Sequence, residues 1–323
     1  MDRELTVAMT MVVRDEEDIL ATNLDYHLAQ GVDLVLVTDF GSTDRTSAIL
    51  ADFARGGRVR CWREEGTEFK QSVWVSRMLK IARDEHGADW VLHGDADEFW
   101  VPLAGSLRDV CAAVPEPYGY MYVRRHNFPP PLVGSEPFPE QMTIRHRIST
   151  YMDGGPIHPK VAQRPAAGTM PRRGNHSIVD PVLPAAPDAG SVEIHHFQVR
   201  GYEGLLRRMR RAEETGEIGQ GLSPETQATL RSYRAGELPA AYARIALSDE
   251  QTVAGLESGE LVHDDRVKRF LAGHIREQRD PLELEGLLAA VWAHAEKLDR
   301  RRRTTRWRAP LRALASHRAR TLG

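Results

Sequence analysis

A chain of 323 residues is long enough for one large α/β domain with an appendage or for two ordinary domains. With 41% hydrophobic and 28% charged residues and a formal net charge of -3, it falls outside the disordered and fibrous classes and shows no global bias toward nucleic acid. Cys61 and Cys111 lack CxxC spacing, which argues against a disulfide framework and a thiolate zinc site and for reduced thiols in a cytoplasmic setting.

The chain up to Trp100 alternates short β-rich apolar runs with segments of helical spacing, the βαβ signature. Val7 to Val13 reads as a strand that ends in the charged run Arg14-Asp15-Glu16-Glu17, a pattern unlike a signal peptide or a membrane span. Ile19, Leu20, Leu24, His27 and Leu28 then share a helical face. Val32 to Thr38 is a second strand, followed by the turn Asp39-Phe40-Gly41-Ser42 and a helix opening at Thr43-Asp44. Val59 to Trp62 is a weaker third strand. A helix over Gln71 to Glu85 presents Trp74, Met78, Leu79 and Ala82, and Trp90 to His93 is a fourth strand that empties into Asp95-Ala96-Asp97-Glu98. The pattern predicts an α/β fold: a mostly parallel, Rossmann-like sheet with helices on both faces.

After Pro102, proline-rich loops separate short strands at Gly119 to Arg124, Thr143 to Ile148 and Val192 to Val199, read as an antiparallel extension of the same sheet. From Gly201 the apolar spacing is helical: Leu205, Leu206 and Met209, then Tyr242, Ile245 and Leu247, then Leu284 to Trp292. The expected division is a catalytic domain over 1–200 and a helical C-terminal region with a basic tail over 201–323.

Two aspartates one residue apart at a strand end project in the same general direction, because side chains alternate along an extended chain. Such a pair suits Mn²⁺ or Mg²⁺ bridging a diphosphate, and the carboxyl end of a strand in an open α/β sheet is where ligands bind. A bare D-x-D triplet more often caps a loop. Here the cluster follows the apolar Trp90-Val91-Leu92, carries three carboxylates in four residues and precedes Phe99-Trp100, and carboxylates held beside aromatics call for a counter-ion.

Three motifs in order resemble the GT-A glycosyltransferases, in particular families 2 and 92. Met11-Val12-Val13-Arg14-Asp15-Glu16-Glu17 resembles their opening strand and helix. Asp39-Phe40-Gly41-Ser42-Thr43-Asp44-Arg45-Thr46 resembles a "DNGSTDGT" segment, and Gly87-Ala88-Asp89-Trp90 leading to Asp95-Ala96-Asp97-Glu98-Phe99-Trp100 resembles a "gADWv…DADEFw" segment. Further on, Gly174-Asn175-His176 and Ile194-His195-His196-Phe197-Gln198-Val199-Arg200 are similar to "GNH" and "HF.VRS" blocks. The likeness covers about the first two thirds of the chain. Phe40, Arg45 and Gly201 depart from the pattern, and none of these changes removes a carboxylate.

The resemblance implies a transferase moving a sugar from a nucleoside diphosphate donor, UDP-linked, to a glycan, lipid or small-molecule hydroxyl with inversion. It implies that Asp39 contacts the nucleoside, that Asp95 holds the ribose or reaches the metal through water, and that Asp97 ligates the ion. His196 aligns with the family histidine and is the third metal ligand; on a strand it points away from His195. Arg14 and Glu16 sit where a strand end meets a helix, suited to the nucleobase, although Asp15, Glu16 and Glu17 also favour the helix dipole. Asp44 is read as fixing the turn. A cation for the leaving diphosphate is expected from Lys160, Arg200 or Lys70. Gln71 joins the pocket by likeness alone. For the base that deprotonates the acceptor, His176 is favoured over Asp180, Asp153 and Glu203.

From Lys297 the chain is dense in arginine interleaved with Trp307, Leu311 and Leu314, a composition for peripheral contact with an anionic inner membrane face or for a solvated tail, without specific nucleic-acid recognition. Two other functions share the acidic cluster. A haloacid dehalogenase-type phosphatase places its aspartates after the first strand rather than the fourth, and a non-catalytic nucleotide-binding module would need the same donor pocket.

Overall fold

The computed structural model describes residues 4–66, 68–134, 137–151, 155–179, 182–187, 190–214 and 224–278. Asp153, Asp180, the Leu284 to Trp292 segment and the arginine-rich end lie outside the described residues. Residues 1–268 form one compact unit and 269–323 a second. The division expected at residue 200 therefore falls inside the first unit.

The elements begin with β1 (Val7–Val13), α1 (Leu20–Ala29), β2 (Leu34–Phe40), α2 (Thr46–Ala54), β3 (Val59–Glu64), α3 (Gln71–Asp84) and β4 (Trp90–Gly94). They continue with β5 (Glu98–Pro102), α4 (Leu107–Ala113), β6 (Tyr120–Val123), β7 (Arg125–Asn127), α5 (Phe138–Gln141), β8 (Ile144–His146), β9 (Lys160–Gln163), β10 (Met170–Pro171), β11 (Ile178–Val179) and β12 (Val192–His196). The last described part holds α6 (Tyr202–Glu214), α7 (Pro224–Arg234), α8 (Leu238–Ile245), α9 (Asp249–Ser258), β13 (Leu261–His263) and α10 (Arg266–Gln278).

The main sheet has the order β3-β2-β1-β4-β9-β6. β1 to β4 are mutually parallel, and β9 runs antiparallel to both β4 and β6. Every residue of β2 and of β4 is buried, as the unbroken apolar runs of a doubly covered parallel sheet require. α3 seals one face, with Val75, Met78, Leu79 and Ala82 packed on Ala8, Leu34, Leu36 and Val91. Truncating a core residue such as Met78 to alanine is expected to cost about 2–5 kcal/mol. The architecture is the mostly parallel α/β one anticipated, with antiparallel strands at one side of the main sheet; Tyr120–Val123 is the anticipated piece found there, and β9, beside β4, was not anticipated.

Two expectations are corrected. Thr143 to Ile148 does not extend the main sheet, because its ordered part, β8, pairs with β13 in a separate two-stranded sheet. Val192 to Val199 does not extend the main sheet; its ordered part, β12, is the middle strand of a second sheet, β5-β12-β7. The reason is that Glu98-Phe99-Trp100-Val101-Pro102, which reads as the tail of the acidic motif, is itself a strand and pairs antiparallel with β12. This sheet packs on α1 through Tyr26 against Phe99, ring centroids 5.2 Å apart. Beyond it, α6, α7 and α8 enclose a separate apolar cluster of Leu205, Met209, Leu230, Leu238 and Tyr242. β13 returns to pair with β8, tying residues after 260 to the middle of the chain.

Candidate active site

β2 and β4 flank β1 on opposite sides, so the connections leaving β1 and β2 diverge from those leaving β4 and open a crevice beyond the carboxyl ends of the strands. A cleft of about 580 Å³ occupies it. Its walls are Arg14 to Asp18 after β1, Asp95 to Asp97 after β4, Gln198 to Arg200 after β12, and one side of α6.

The acidic loop is fixed from several directions. Asn23, fully buried on α1, donates both amide hydrogens, to the carbonyls of Ala96 and Glu98 at 2.9 Å each. His27, one turn on, accepts from the Trp100 amide at 3.1 Å and is thereby set to donate from Nδ1 to Asn23. Phe197 N donates to the Asp97 carbonyl at 2.8 Å, joining the loop to the chain leaving β12. Glu98 is completely buried; its Oε2 accepts from Asp95 N at 3.1 Å, and Lys160 and Arg125 each stand 3.2 Å from its carboxylate. Lys160 Nζ also donates to Asp95 Oδ2 at 2.5 Å.

Lys160 therefore pairs with Asp95 and Glu98 and Arg125 with Glu98, whereas among the described residues Asp97 has no lysine or arginine at ion-pair distance. Burial, with Glu98 and Asp97 beside it, pushes Asp95 up against the pull of Lys160. Burial also opposes the charge on Asp97, but His196, Arg200 and Arg208 outweigh it and hold the group below the ordinary carboxylate range. A divalent cation would relieve this imbalance.

The second ligand type is in place beside it. His196 Nε2 lies 3.5 Å from Asp97 Oδ2. Its Nδ1 is 2.8 Å from Asn127 Oδ1, an acceptor, so Nδ1 carries a proton and Nε2 is the ring atom that faces Asp97. An imidazole oriented by an outer hydrogen bond, next to an anionic carboxylate on an open cleft, fits a bound divalent ion.

The other nominated residues divide. Arg14, Glu16, Gln71 and Arg200 line the cleft; Asp39, Lys160 and His176 do not. Asp39 Oδ1 accepts from Ser42 N at 2.9 Å, and Ser47 also donates to its carboxylate, so the group closes the turn after β2. Arg200 is engaged by Asp18 through two bonds of 2.8 Å and by Glu16 at 2.7 Å. Burial pushes Glu16 up to about 7, with Asp97 and Asp18 adding to the effect against Arg200. Gln71 Oε1 accepts from Gly174 N at 2.9 Å. Gly174 has φ +80, and a Cβ there would stand 2.5 Å from the His176 ring, so the Gly-Asn-His turn needs its glycine. His176 donates to the Pro159 carbonyl at 2.7 Å, and burial together with Lys160 lowers it to about 4. Asp44 Oδ1 accepts from Thr46 N at 2.8 Å and Oδ2 from Glu17 N at 3.1 Å, stapling the two crossover loops together. Phe40 stacks on Trp74, centroids 4.9 Å apart, and carries the Arg14 guanidinium 5.0 Å over its ring.

Sequence reasoning missed Asn23, Asn127, Arg125 and the arginines of α6. The pair Arg207-Arg208 and the pair Arg210-Arg211 were visible as charge, but only the placement of α6 over the cleft gives them a target.

Glu193, His195 and Asp264 bring one possible ligand atom each within 4.8 Å of one another, on the far face of β12 from His196. Arg266 Nη2 already stands among them, 2.6 Å from Glu193, 2.6 Å from Asp264 and 3.0 Å from His195 Nε2, and Arg145 reaches Asp264 at 2.8 Å. A guanidinium takes the cation's place, so this cluster does not fit a metal.

No protein-family model and no curated protein matches the chain. Among solved structures it is similar to S. aureus TarS 1-349 in complex with UDP-GlcNAc, with 13% identity, a TM-score of 0.39, and coverage of 75% of this chain and 74% of that one. It is similar to the mannosyltransferase PcManGT from Pyrobaculum calidifontis in complex with GDP-Man and Mn²⁺, with 15% identity, a TM-score of 0.36, and coverage of 88% and 84%. A third is glucosyl-3-phosphoglycerate synthase from Mycobacterium tuberculosis in complex with Mn²⁺, UDP and phosphoglyceric acid, with 18% identity, a TM-score of 0.27, and coverage of 38% and 43%. The chain spans 43% of the length of the longer S. aureus TarS structure.

Proposed function

We propose that this chain is a metal-dependent glycosyltransferase that moves a sugar from a nucleoside diphosphate donor to an acceptor hydroxyl with inversion at the anomeric carbon. The observation that carries the reading is the convergence of the Asp97 carboxylate and His196 Nε2 at the floor of a cleft, at the switch point of a parallel sheet. Asp97, His196 and Asp95 would hold Mn²⁺ or Mg²⁺. The ion, when bound, supplies charge neutralisation for the departing diphosphate.

The chain's own residues prepare that floor. Asn23, Lys160 and Arg125 hold the acidic loop in one conformation, so little reorganisation accompanies the reaction. Asn127 fixes the His196 tautomer. Arg14, seated on Phe40, and the side chain of Phe69 border the end of the cleft suited to a nucleobase.

Calorimetry with UDP and GDP, each with and without Mn²⁺, tests the reading. One of them binds only with the metal, and Asp97→Ala abolishes that binding. If neither binds in a metal-dependent way, the assignment fails. Hydrolysis of the matching sugar nucleotide by the wild type separates an enzyme from a non-catalytic binding module.

A further inference from the structure

Seven arginines line the cleft. Four of them are engaged: Arg125 by Glu98, Arg200 by Asp18 and Glu16, Arg211 by Asp15 at 2.8 Å, and Arg14 by the Phe40 ring. Arg207, Arg208 and Arg210 are different. Among the described residues none of the three has a hydrogen bond or an ion pair. Acids one turn away on the same helix, Glu203 and Glu214, are at the spacing that usually gives surface pairs, yet neither closes to ion-pair distance on Arg207 or Arg210 among the described residues.

The helix is held with this side to the cleft because Met209 and Ala212 on its other side are buried in the helical cluster. All three side chains line the cleft. Three planar forks on one cleft wall, with no carboxylate at ion-pair distance among the described residues, suit a tetrahedral oxyanion, whose several oxygens can each accept from a different arginine.

We infer that Arg207, Arg208 and Arg210 of α6 form a phosphate subsite for the acceptor, separate from the donor's diphosphate site at Asp95, Asp97 and His196. The word acceptor rests on the glycosyltransferase reading above. The acceptor class is then a hydroxyl compound carrying phosphate, either a small phosphomonoester or a phosphate-linked chain. Its phosphate would dock on α6 and present a hydroxyl toward the cleft floor.

The test is calorimetric titration of the full chain, saturated with UDP and Mn²⁺, with inorganic phosphate, glycerol 3-phosphate, inorganic polyphosphate and uncharged glycerol. Expected are phosphate and glycerol 3-phosphate binding without displacing UDP, no glycerol binding, and at least a tenfold weakening of phosphate in R207Q/R208Q/R210Q. The double variant R207Q/R210Q, confined to the two exposed positions, is expected to show an intermediate loss and to keep the wild-type UDP affinity, and both variants are expected to keep the wild-type melting temperature. Tighter binding of polyphosphate per phosphate group would identify a chain-like acceptor, and equal binding a small one. Phosphate that fails to bind while UDP and Mn²⁺ do bind would overturn this inference alone. So would phosphate that competes with UDP, or a variant that loses UDP and phosphate affinity by the same factor, since the arginines would then belong to the donor. Failure of UDP to bind the wild type would sink the enzymatic reading and this one with it.

Discussion

His195 and His196 are neighbours on one strand with opposite surroundings. On one face of β12, His195 is fully buried, packed 4.7 Å from the Phe128 ring and closed in by Asp264 and Arg266. On the other face, His196 borders an open cleft with a carboxylate at 3.5 Å and one hydrogen bond behind it. Both faces gather acids around an imidazole. What distinguishes them is whether a cation is in contact: a guanidinium built into the chain closes the first, whereas on the second no lysine or arginine among the described residues stands at ion-pair distance from Asp97. A cluster of possible ligands is therefore informative only after its resident arginines and lysines have been counted.

The contrast can be broken at several points. Asp97→Ala acts on the open face, and is expected to lower sugar-nucleotide turnover by on the order of 10²–10³ with little change in melting temperature. A comparable rate in the variant would remove Asp97 from the reaction. Arg266→Met acts on the closed face: it leaves buried Asp264 with Arg145 alone and removes the guanidinium shared with half-buried Glu193, so unfolding in urea is expected to show a loss of about 3 kcal/mol. If stability holds and the variant instead takes up Mn²⁺ or Zn²⁺ at a second site, the guanidinium was only a placeholder. Asn127→Ala leaves both His196 and Asp97 in place but frees the imidazole tautomer, and metal affinity is expected to fall about 10–100-fold by calorimetry.

The smallest effect concerns pH. Glu16 is pushed up to about 7 from an ordinary value of 4.5, chiefly by burial, so the native state binds more protons than the unfolded chain between those values. Stability from this group is full below about pH 4.5 and is lost as pH rises through 7, with a slope of at most about 1.4 kcal/mol per unit. Glu16→Gln is expected to flatten that part of the stability profile. An unchanged slope would place the charge of Glu16 elsewhere in the folded state.

Much of the first half of the chain was legible. β1 to β4 and α3 announce themselves because buried parallel strands are continuous apolar runs and α3 keeps a strict helical stripe. Asp97 and His196, which meet at the cleft floor, were reached through motif order and strand alternation. β9 escaped notice because it is four residues long, begins on Lys160 and ends on Gln163, polar residues whose burial depends on partners far away in sequence. The second sheet was hidden for a related reason: Glu98 serves as a buried charge and a strand residue at once. Asn23 gave no signal either, since a lone amide on a helix gains meaning only when the acidic loop lies within reach of both its hydrogens.

The bond from Phe197 N–H to the Asp97 carbonyl has a kinetic consequence. That amide can exchange with solvent only when the acidic loop and the chain leaving β12 separate. Its deuterium uptake is therefore a single-proton clock for opening of the cleft floor. Exchange that slows when Mn²⁺ and nucleotide are added would show ligand energy being spent on keeping those two segments together.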